Sequence, residues 1–354
     1  MSEPAVHAGL AQDAPRIGVL PSGPRDAISD VGAIRVGHAT LADGAIQTGV
    51  TVVVPHPGDP FLAKVPAASA VINGFGKSIG LIQVDELGVF ETPIALSNTF
   101  AVGTLARAQI RHALAAHPRI GREWPTVNPL VFECNDGYLN DIRALAVDEA
   151  HYAEALATAS ADFAQGSVGA GRGMSAFELK GGIGSASRLA GGYTVGALVL
   201  ANFGKLPMLT LAGRALGREL AAMPAGGGTP GAEKGSIIML LATDAPLDAR
   251  QLRRLALRAG AGLARTGSSF GHGSGDIALA FSTAYTIPQR PTEPMPALAM
   301  LHEERLDTLF QAAAEATEQA IVHALWHAEA VRGRDGNERR TLRQLLTRRD
   351  ECAS

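Results

Sequence analysis

The sequence predicts a mixed α/β domain, and three observations carry that prediction. Short apolar runs rich in β-branched residues recur along the chain, each bounded by Gly, Pro or Asn. Longer stretches with apolar residues at helical spacing lie between them. At 354 residues and 46% apolar composition, the chain can bury a large core without a partner. Its 41 glycines are dispersed, which suits tight turns and close backbone approaches and not a low-complexity tract. No internal repeat of fixed period occurs.

In chain order, residues 1–26 are polar, rich in Ala and Pro, and read as an N-terminal arm. Folding starts near Ile28, with 27–354 as a single domain. The runs 50–54 (VTVVV), 130–132 and 193–200 (YTVGALVL) have the continuous apolar character of interior strands. Helices are expected over 102–116, after a cap at Asn98 or Thr99, and over 148–165. Residues 212–235 end in a Gly/Pro-rich loop that runs directly into the apolar SIIMLLAT beginning at Ser236. A helix follows over 248–265, with Leu252, Leu255, Ala256 and Ala259 on one face, and a Gly/Ser-rich turn then leads into a strand at 277–281. The last helix is expected over 303–331, where Leu306, Leu309, Phe310, Ala313, Ala316 and Ala320 form a stripe that faces the core.

Composition narrows the function classes. Charged residues are 18% and the formal net charge is −3, so no electrostatic footprint for nucleic acid or an anionic membrane is present. A small-molecule partner is expected. Cys134 and Cys352 are far apart and imply no disulfide framework, which fits a reducing compartment. The first residues lack a basic start followed by an apolar run, and no stretch reaches the length of a membrane span. The expectation is a soluble, cytoplasmic protein.

Familiar motifs mostly fail on their own chemistry. NGFGKS at 73–78 resembles a phosphate-binding loop, but Val71 stands where its first glycine is required, so the segment reads as a turn. His323 and His327 share a helical face, yet Ala324 occupies the place of the general-base Glu of a zinc-protease motif, and no metal is expected. GSSFG at 267–271 fits G-x-S-x-G, with a helix before it and a strand after it, the reverse of a nucleophile elbow.

Two features remain. Ser236 begins a buried strand directly after a Gly-rich loop; taken alone, a serine bordering a turn is the commoner case. In GSGD at 273–276, Ser274 and Asp276 stand two apart, so a strand points both side chains the same way. They could position and activate a nucleophile, or form an ordinary turn.

The chain as a whole resembles the L-aminopeptidase/D-esterase (DmpA-like) family, which includes β-peptidyl aminopeptidases. AISDVGAIRVGHATL at 27–41 is similar to the family's opening segment, and ETPIALSNTFAVGTL at 91–105 to its ETPI, TNT and VGT pattern, with Ser97 in place of the first Thr. VFECNDGYLNDIRA, GSVGAGRGMSAFELKGGIGSASR and GGYTVGALVLANFG follow in family order. The block from KGSIIMLLATDAPL to GHGSGDIALAFSTA matches the nucleophile region.

The resemblance implies a four-layer αββα sandwich and a precursor that cuts itself between Gly235 and Ser236 into an α chain of 1–235 and a β chain of 236–354. It implies a serine-type N-terminal-nucleophile aminopeptidase that acts on short peptides, amides or esters, needs no cofactor, and assembles as a tetramer of αβ units. By motif, Ser236 is the nucleophile, Asn202 the oxyanion donor, and Ser274 with Asp276 the pair that orients the nucleophile. Glu133 pairs with the substrate's amino group. Asn135, where relatives often carry an aromatic residue, and nearby Tyr138 shape the substrate pocket, and Lys180 is a candidate for the rim. The rival readings are an acyltransferase of the ornithine-acetyltransferase type, which uses threonine instead of Ser236, and a catalytically silent protein that keeps the fold.

Overall fold

The computed structural model describes residues 13–223, 235–291 and 300–353. The start of the arm at 1–12, most of the Gly/Pro-rich loop before Gly235, and the Cys352 side chain lie outside the described residues. The strands in chain order are β1 (Arg35–Asp43), β2 (Ile46–Val54), β3 (Ala63–Gly74), β4 (Val89–Phe90), β5 (Ile94–Asn98), β6 (Val131–Cys134), β7 (Ser175–Ala176), β8 (Leu179–Lys180), β9 (Gly182–Ala190), β10 (Tyr193–Asn202), β11 (Ser236–Thr243), β12 (Gly275–Ser282), β13 (Ile287–Pro288), β14 (Val331–Arg332) and β15 (Glu338–Arg339). The helices used below are α1 (Leu81–Leu87), α2 (Val102–Ala116), α3 (Glu149–Ala157), α4 (Leu216–Ala221), α5 (Ala249–Arg265) and α6 (Leu306–Trp326).

A small sheet runs β1-β2-β5-β6, and a large one runs β13-β3-β12-β11-β10-β9 with β4 on β3. Helices α2 and α3 cover the small sheet, while α5 and α6 cover the large one. The strand pleat builds the layers between them, because successive side chains leave on opposite faces. On β11, Ile237, Met239 and Leu241 meet α5 and α6 in one core, whereas Ile238 and Leu240 meet Val53, Leu96 and Phe132 of the small sheet in a second. On β2 and β5, Val52 and Ala95 turn outward into a third core with Leu105 of α2 and Ala155 of α3. Three cores between four layers make the αββα sandwich, and they explain why the central strands read as unbroken apolar runs.

Helix α2 has the expected bounds, and the Asn98 side chain accepts from the Phe100 and Ala101 amides to cap the short turn leading into it. Asp248 caps α5 in the same way. Two helices are shorter than periodicity suggests. Helix α3 stops at Ala157, not 165, because Ser160 exchanges backbone hydrogen bonds with Val36 of β1, at 3.0 and 2.9 Å. Helix α6 ends at Trp326, not 331, because Glu329 leaves its line to trade hydrogen bonds with the Ser167 hydroxyl. The described part of the arm, 13–26, has no helix or strand and is docked on β9 and α6: Arg188 donates to the Ile17 carbonyl and Gln319 accepts from the Ile17 amide.

Candidate active site

One end of the sandwich gathers the residues singled out by the sequence. Ser236 is the first residue of β11 and sits directly across from Asn202, the last residue of β10, in the antiparallel register. On its other side β11 runs parallel to β12, with Ile237 beside Asp276. Ser236, Asn202, Ser274 and Asp276 are all buried, at 6%, 4%, 1% and 0% exposure. The group that reaches the Ser236 hydroxyl is the Gly275 amide, which donates to Oγ at 3.1 Å. Gly235 lies tight against β10: a Cβ added there would stand 2.3 Å from the Asn202 carbonyl oxygen and 2.6 Å from the Phe203 Cα.

Asn202 is held from both ends of its amide. Oδ1 accepts the Ser175 backbone N–H at 2.8 Å and Nδ2 donates to the Asn135 carbonyl at 2.9 Å. This network fixes which end is which, and leaves the second N–H of Nδ2 to point elsewhere. Ser274 Oγ donates to Asp276 Oδ1 at 2.6 Å. Because that bond uses the hydroxyl's one proton, Ser274 presents only acceptor capacity to its surroundings. The turn carrying both residues is tied to β3 by Asn73, whose amide donates to the Gly271 carbonyl at 2.9 Å and to that of Ser274.

Glu133 is near the end of β6, beside Ser97 in the parallel register, and is 2% exposed. Oε1 accepts the Lys77 amide at 2.9 Å and Oε2 accepts the Thr99 hydroxyl. The position a Cβ of Gly76 would take is 3.9 Å from both Glu133 Oε1 and the Gly275 Cα, so the carboxylate and the Ser274 turn flank the same glycine. Cys134 beside it is buried and unpaired; burial, reinforced by Glu133, Asp276 and Asp136, holds its thiol well above the usual range, so it is no nucleophile. Asp136 is raised to about 7, chiefly by burial. Asn135 and Tyr138 are exposed nearby, with the Arg339 guanidinium 3.6 Å above the Tyr138 ring.

Lys180 is not at a solvated rim. It is fully buried, and its ammonium donates to the carbonyls of Gly171, Met174 and Gly181 at 2.9, 2.9 and 2.7 Å. Burial, reinforced by Arg172, pulls its pKa well below the usual lysine range, and the three carbonyl acceptors are what the buried Nζ has in place of water. The lysine shapes the loop that carries Ser175. Ser175, Asn73, Thr99 and the Gly275 amide are the site residues sequence reading missed. Ser175 reaches Asn202, and Gly275 reaches Ser236, through a backbone N–H, which no side-chain pattern marks.

Elsewhere, His323 is a packed residue whose Nδ1 meets the Ser185 carbonyl at 2.6 Å. Among the described residues no three His, Cys, Asp or Glu side chains cluster as metal ligands would, and no helix is long and apolar enough to cross a membrane. A cavity of about 300 Å³ lined by Val54, Asp59, Thr92, Pro93 and His112 contains none of the residues above. It sits at the other end of β2 and β5.

Comparison with known proteins gives a consistent picture. Residues 26–339 match the profile of peptidase family S58. The chain is similar to the beta-peptidyl aminopeptidase BapA of Sphingosinicella microcystinivorans, with 37% identity over 341 residues that cover 89% of this chain and 84% of the relative. Among solved structures it is similar to the PH0078 protein of Pyrococcus horikoshii OT3, at TM-score 0.89 and 46% identity over 96% of this chain and 97% of that one. It is also similar to the L-aminopeptidase D-Ala-esterase/amidase of Ochrobactrum anthropi, described as a prototype for the serine aminopeptidases and a new variant among the Ntn hydrolase fold, at TM-score 0.87 and 33% identity over 97% of each chain.

Proposed function

The chain belongs to peptidase family S58, and on that premise we propose that it cuts itself between Gly235 and Ser236 and then releases N-terminal residues, α or β, from short peptides and amides. The observation that carries this reading is the setting of Ser236. It opens a buried strand between an asparagine amide and a Ser–Asp pair, and a glycine joins it to the preceding loop.

The chemistry follows from what each group can do. In the uncut chain the Ser236 nitrogen is an amide and has no basicity. Oγ, held by the Gly275 N–H, attacks the Gly235 carbonyl carbon, and the hydroxyl proton passes to the Ser236 nitrogen as the C–N bond breaks, so the peptide bond becomes an ester and the α-amine is freed; water then hydrolyses the ester to the Gly235 carboxylate and the Ser236 hydroxyl. The freed α-amine has a reference pKa of roughly 8, close to working pH, so it serves as base for its own hydroxyl. Ser274 Oγ, its proton committed to Asp276, accepts from the α-ammonium and orients it. The Asn202 Nδ2 amide donates to the oxyanion formed in each attack. Glu133 receives the substrate's ammonium by a charge-assisted hydrogen bond, which makes the enzyme an aminopeptidase.

Asn135 and Tyr138 line the opening to this pocket. The unpaired thiol of Cys134 fits a cytoplasmic setting, and a tetramer of cut protomers is the assembly we propose with it. Intact mass measured under denaturing conditions tests the reading: wild type gives two fragments meeting at Ser236, and Ser236→Ala gives one full-length, inactive chain. Two fragments from Ser236→Ala would refute it.

A further inference from the structure

We infer that Arg339, stacked on Tyr138, is the receptor for the carboxylate of the leaving residue, which makes short peptides with a free C-terminus the preferred substrates. This rests on the aminopeptidase reading above and adds the second end of the substrate to it.

The guanidinium of Arg339 is fixed in plane by two contacts. Its face lies 3.6 Å from the centre of the Tyr138 ring, and Nε donates to Ser175 Oγ at 3.2 Å. Stacking and the Nε bond leave the two Nη groups, the fork that binds a carboxylate by two parallel hydrogen bonds. Among the described residues neither Nη donates to an acceptor and Arg339 forms no ion pair. The contrast is Arg188, whose buried guanidinium is matched by Asp26 at 3.0 Å and Glu315 at 3.6 Å. Glu178 acts on Arg339 only at longer range, and its Oε2 accepts the Leu206 amide at 3.3 Å. Burial pulls the pKa of Arg339 down, as a half-buried cation without a counter-ion requires. An anion completes such a site.

Its place relative to Ser236 decides which anion. Ser175, which holds Arg339 through Oγ, holds Asn202 through its backbone N–H, and Asn202 faces Ser236 across β10 and β11. Arg339 therefore stands on the β10 flank of the nucleophile. Glu133, on β6 of the facing small sheet, stands on the other side of Ser236: its Oε1 and the Gly275 Cα of β12 flank the same glycine, Gly76. In the order β12-β11-β10, Ser236 of β11 lies between the Gly275 side and the Asn202 side. An acid for the ammonium on one side and a base for the carboxylate on the other suit a short zwitterion with its scissile bond at Ser236.

The test compares a dipeptide with its C-terminal amide, β-alanyl-leucine and β-alanyl-leucinamide, on fully cut wild type and Arg339→Gln. Wild type should have the higher kcat/KM on the acid, and the acid-to-amide ratio should fall about ten- to a hundredfold in the variant, mainly through KM. A ratio that does not move overturns the inference, including the case in which both substrates slow together because Arg339 supports Asn202 through Ser175. A second measurement needs no variant. Leucine should inhibit wild type more tightly than leucinamide, and equal inhibition overturns the carboxylate receptor while leaving the aminopeptidase reading in place. A wild-type chain that stays whole and hydrolyses neither substrate removes both.

Discussion

Replacing Gly235 by alanine should slow self-cleavage about a hundredfold without unfolding the protein. The added Cβ would meet the Asn202 carbonyl oxygen at 2.3 Å and the Phe203 Cα at 2.6 Å, both of them backbone of β10 and its continuation. Neither can swing away as a side chain could, so residue 235 itself must move. Regaining ordinary van der Waals separation takes about 1 Å, and that shift carries the Gly235 carbonyl carbon off the line of attack of Ser236 Oγ. Displacements of this size cost about 10² in rate, or about 2.7 kcal/mol of barrier. The strand itself is spared, because β11 begins at Ser236 and its apolar residues bury as before. The assay is a time course of intact mass on chain expressed and purified cold, with Ser236→Ala as the uncut reference and circular dichroism to verify the fold. Cleavage of Gly235→Ala at the wild-type rate would refute the reasoning, since the carbonyl would then tolerate a position the structure forbids.

Two further predictions follow from buried ionisable groups. Lys180→Met should lower stability by about 2–3 kcal/mol, read as a fall in Tm, because the Gly171 and Met174 carbonyls keep backbone donors but lose Nζ; kcat should fall too, since the loosened loop carries the N–H that holds Asn202. An unchanged Tm would mean the lysine is not buried as described. Asp136, whose carboxyl is raised to about 7 in the fold from an ordinary 3.8, contributes stability that is fully present below about pH 4 and lost as pH rises through about 7, up to about 4 kcal/mol in all. His38, lowered to about 4 by burial, has the opposite sign: its contribution is present above about pH 6.5 and lost as pH falls through about 4. Subtracting Tm profiles isolates the first, and Asp136→Asn should gain on wild type between pH 5 and 8; a constant difference would refute the shift.

Much of the fold was legible because local signals agreed with tertiary packing. The expected bounds of α2 held because its periodicity is strong and Asn98 closes its approach, and α5 starts where Asp248 supplies a cap. The ends of α3 and α6 were overestimated because what stops them is distant in sequence: Val36 for the first, Ser167 for the second. No window around residue 157 contains that information. The same distinction divides the site. That Ser236, Asn202, Ser274, Asp276 and Glu133 come together could be anticipated because their motifs carry side-chain identity. Ser175 could not, because its contribution to Asn202 is a backbone N–H. Lys180 was misread for a related reason: a lysine between Leu179 and two glycines has no partner visible in sequence, and the three carbonyls that receive it converge only when residues 171–181 fold back on themselves.

The proposed mechanism has one constellation perform two reactions, and their kinetic demands differ. Self-cleavage happens once per chain; peptide release must repeat. In the proposed mechanism both pass through an oxyanion held by the Asn202 amide, and loss of such a donor costs about 10²–10³ in rate. Applied to a single turnover, that factor stretches minutes into hours or days, so a chain stored overnight still appears largely cut. Applied to repeated turnover, it is felt in full. A cut preparation is therefore weak evidence that the polar network around Ser236 is sound, whereas an uncut one is strong evidence that the Ser236 hydroxyl itself is lost. The requirement for a base separates the reactions further. Before the cut the Ser236 nitrogen is an amide that takes up a proton only as its C–N bond breaks, so it is no base for the attack, and Oγ is held by the Gly275 N–H. After it, in the same proposal, the α-amine is the base, and Ser274 gains a partner that did not exist in the precursor. Substitutions at Ser274 or Asp276 should thus weigh more on turnover than on maturation, and those at Gly235 on maturation alone, which is how the two roles of the site can be told apart.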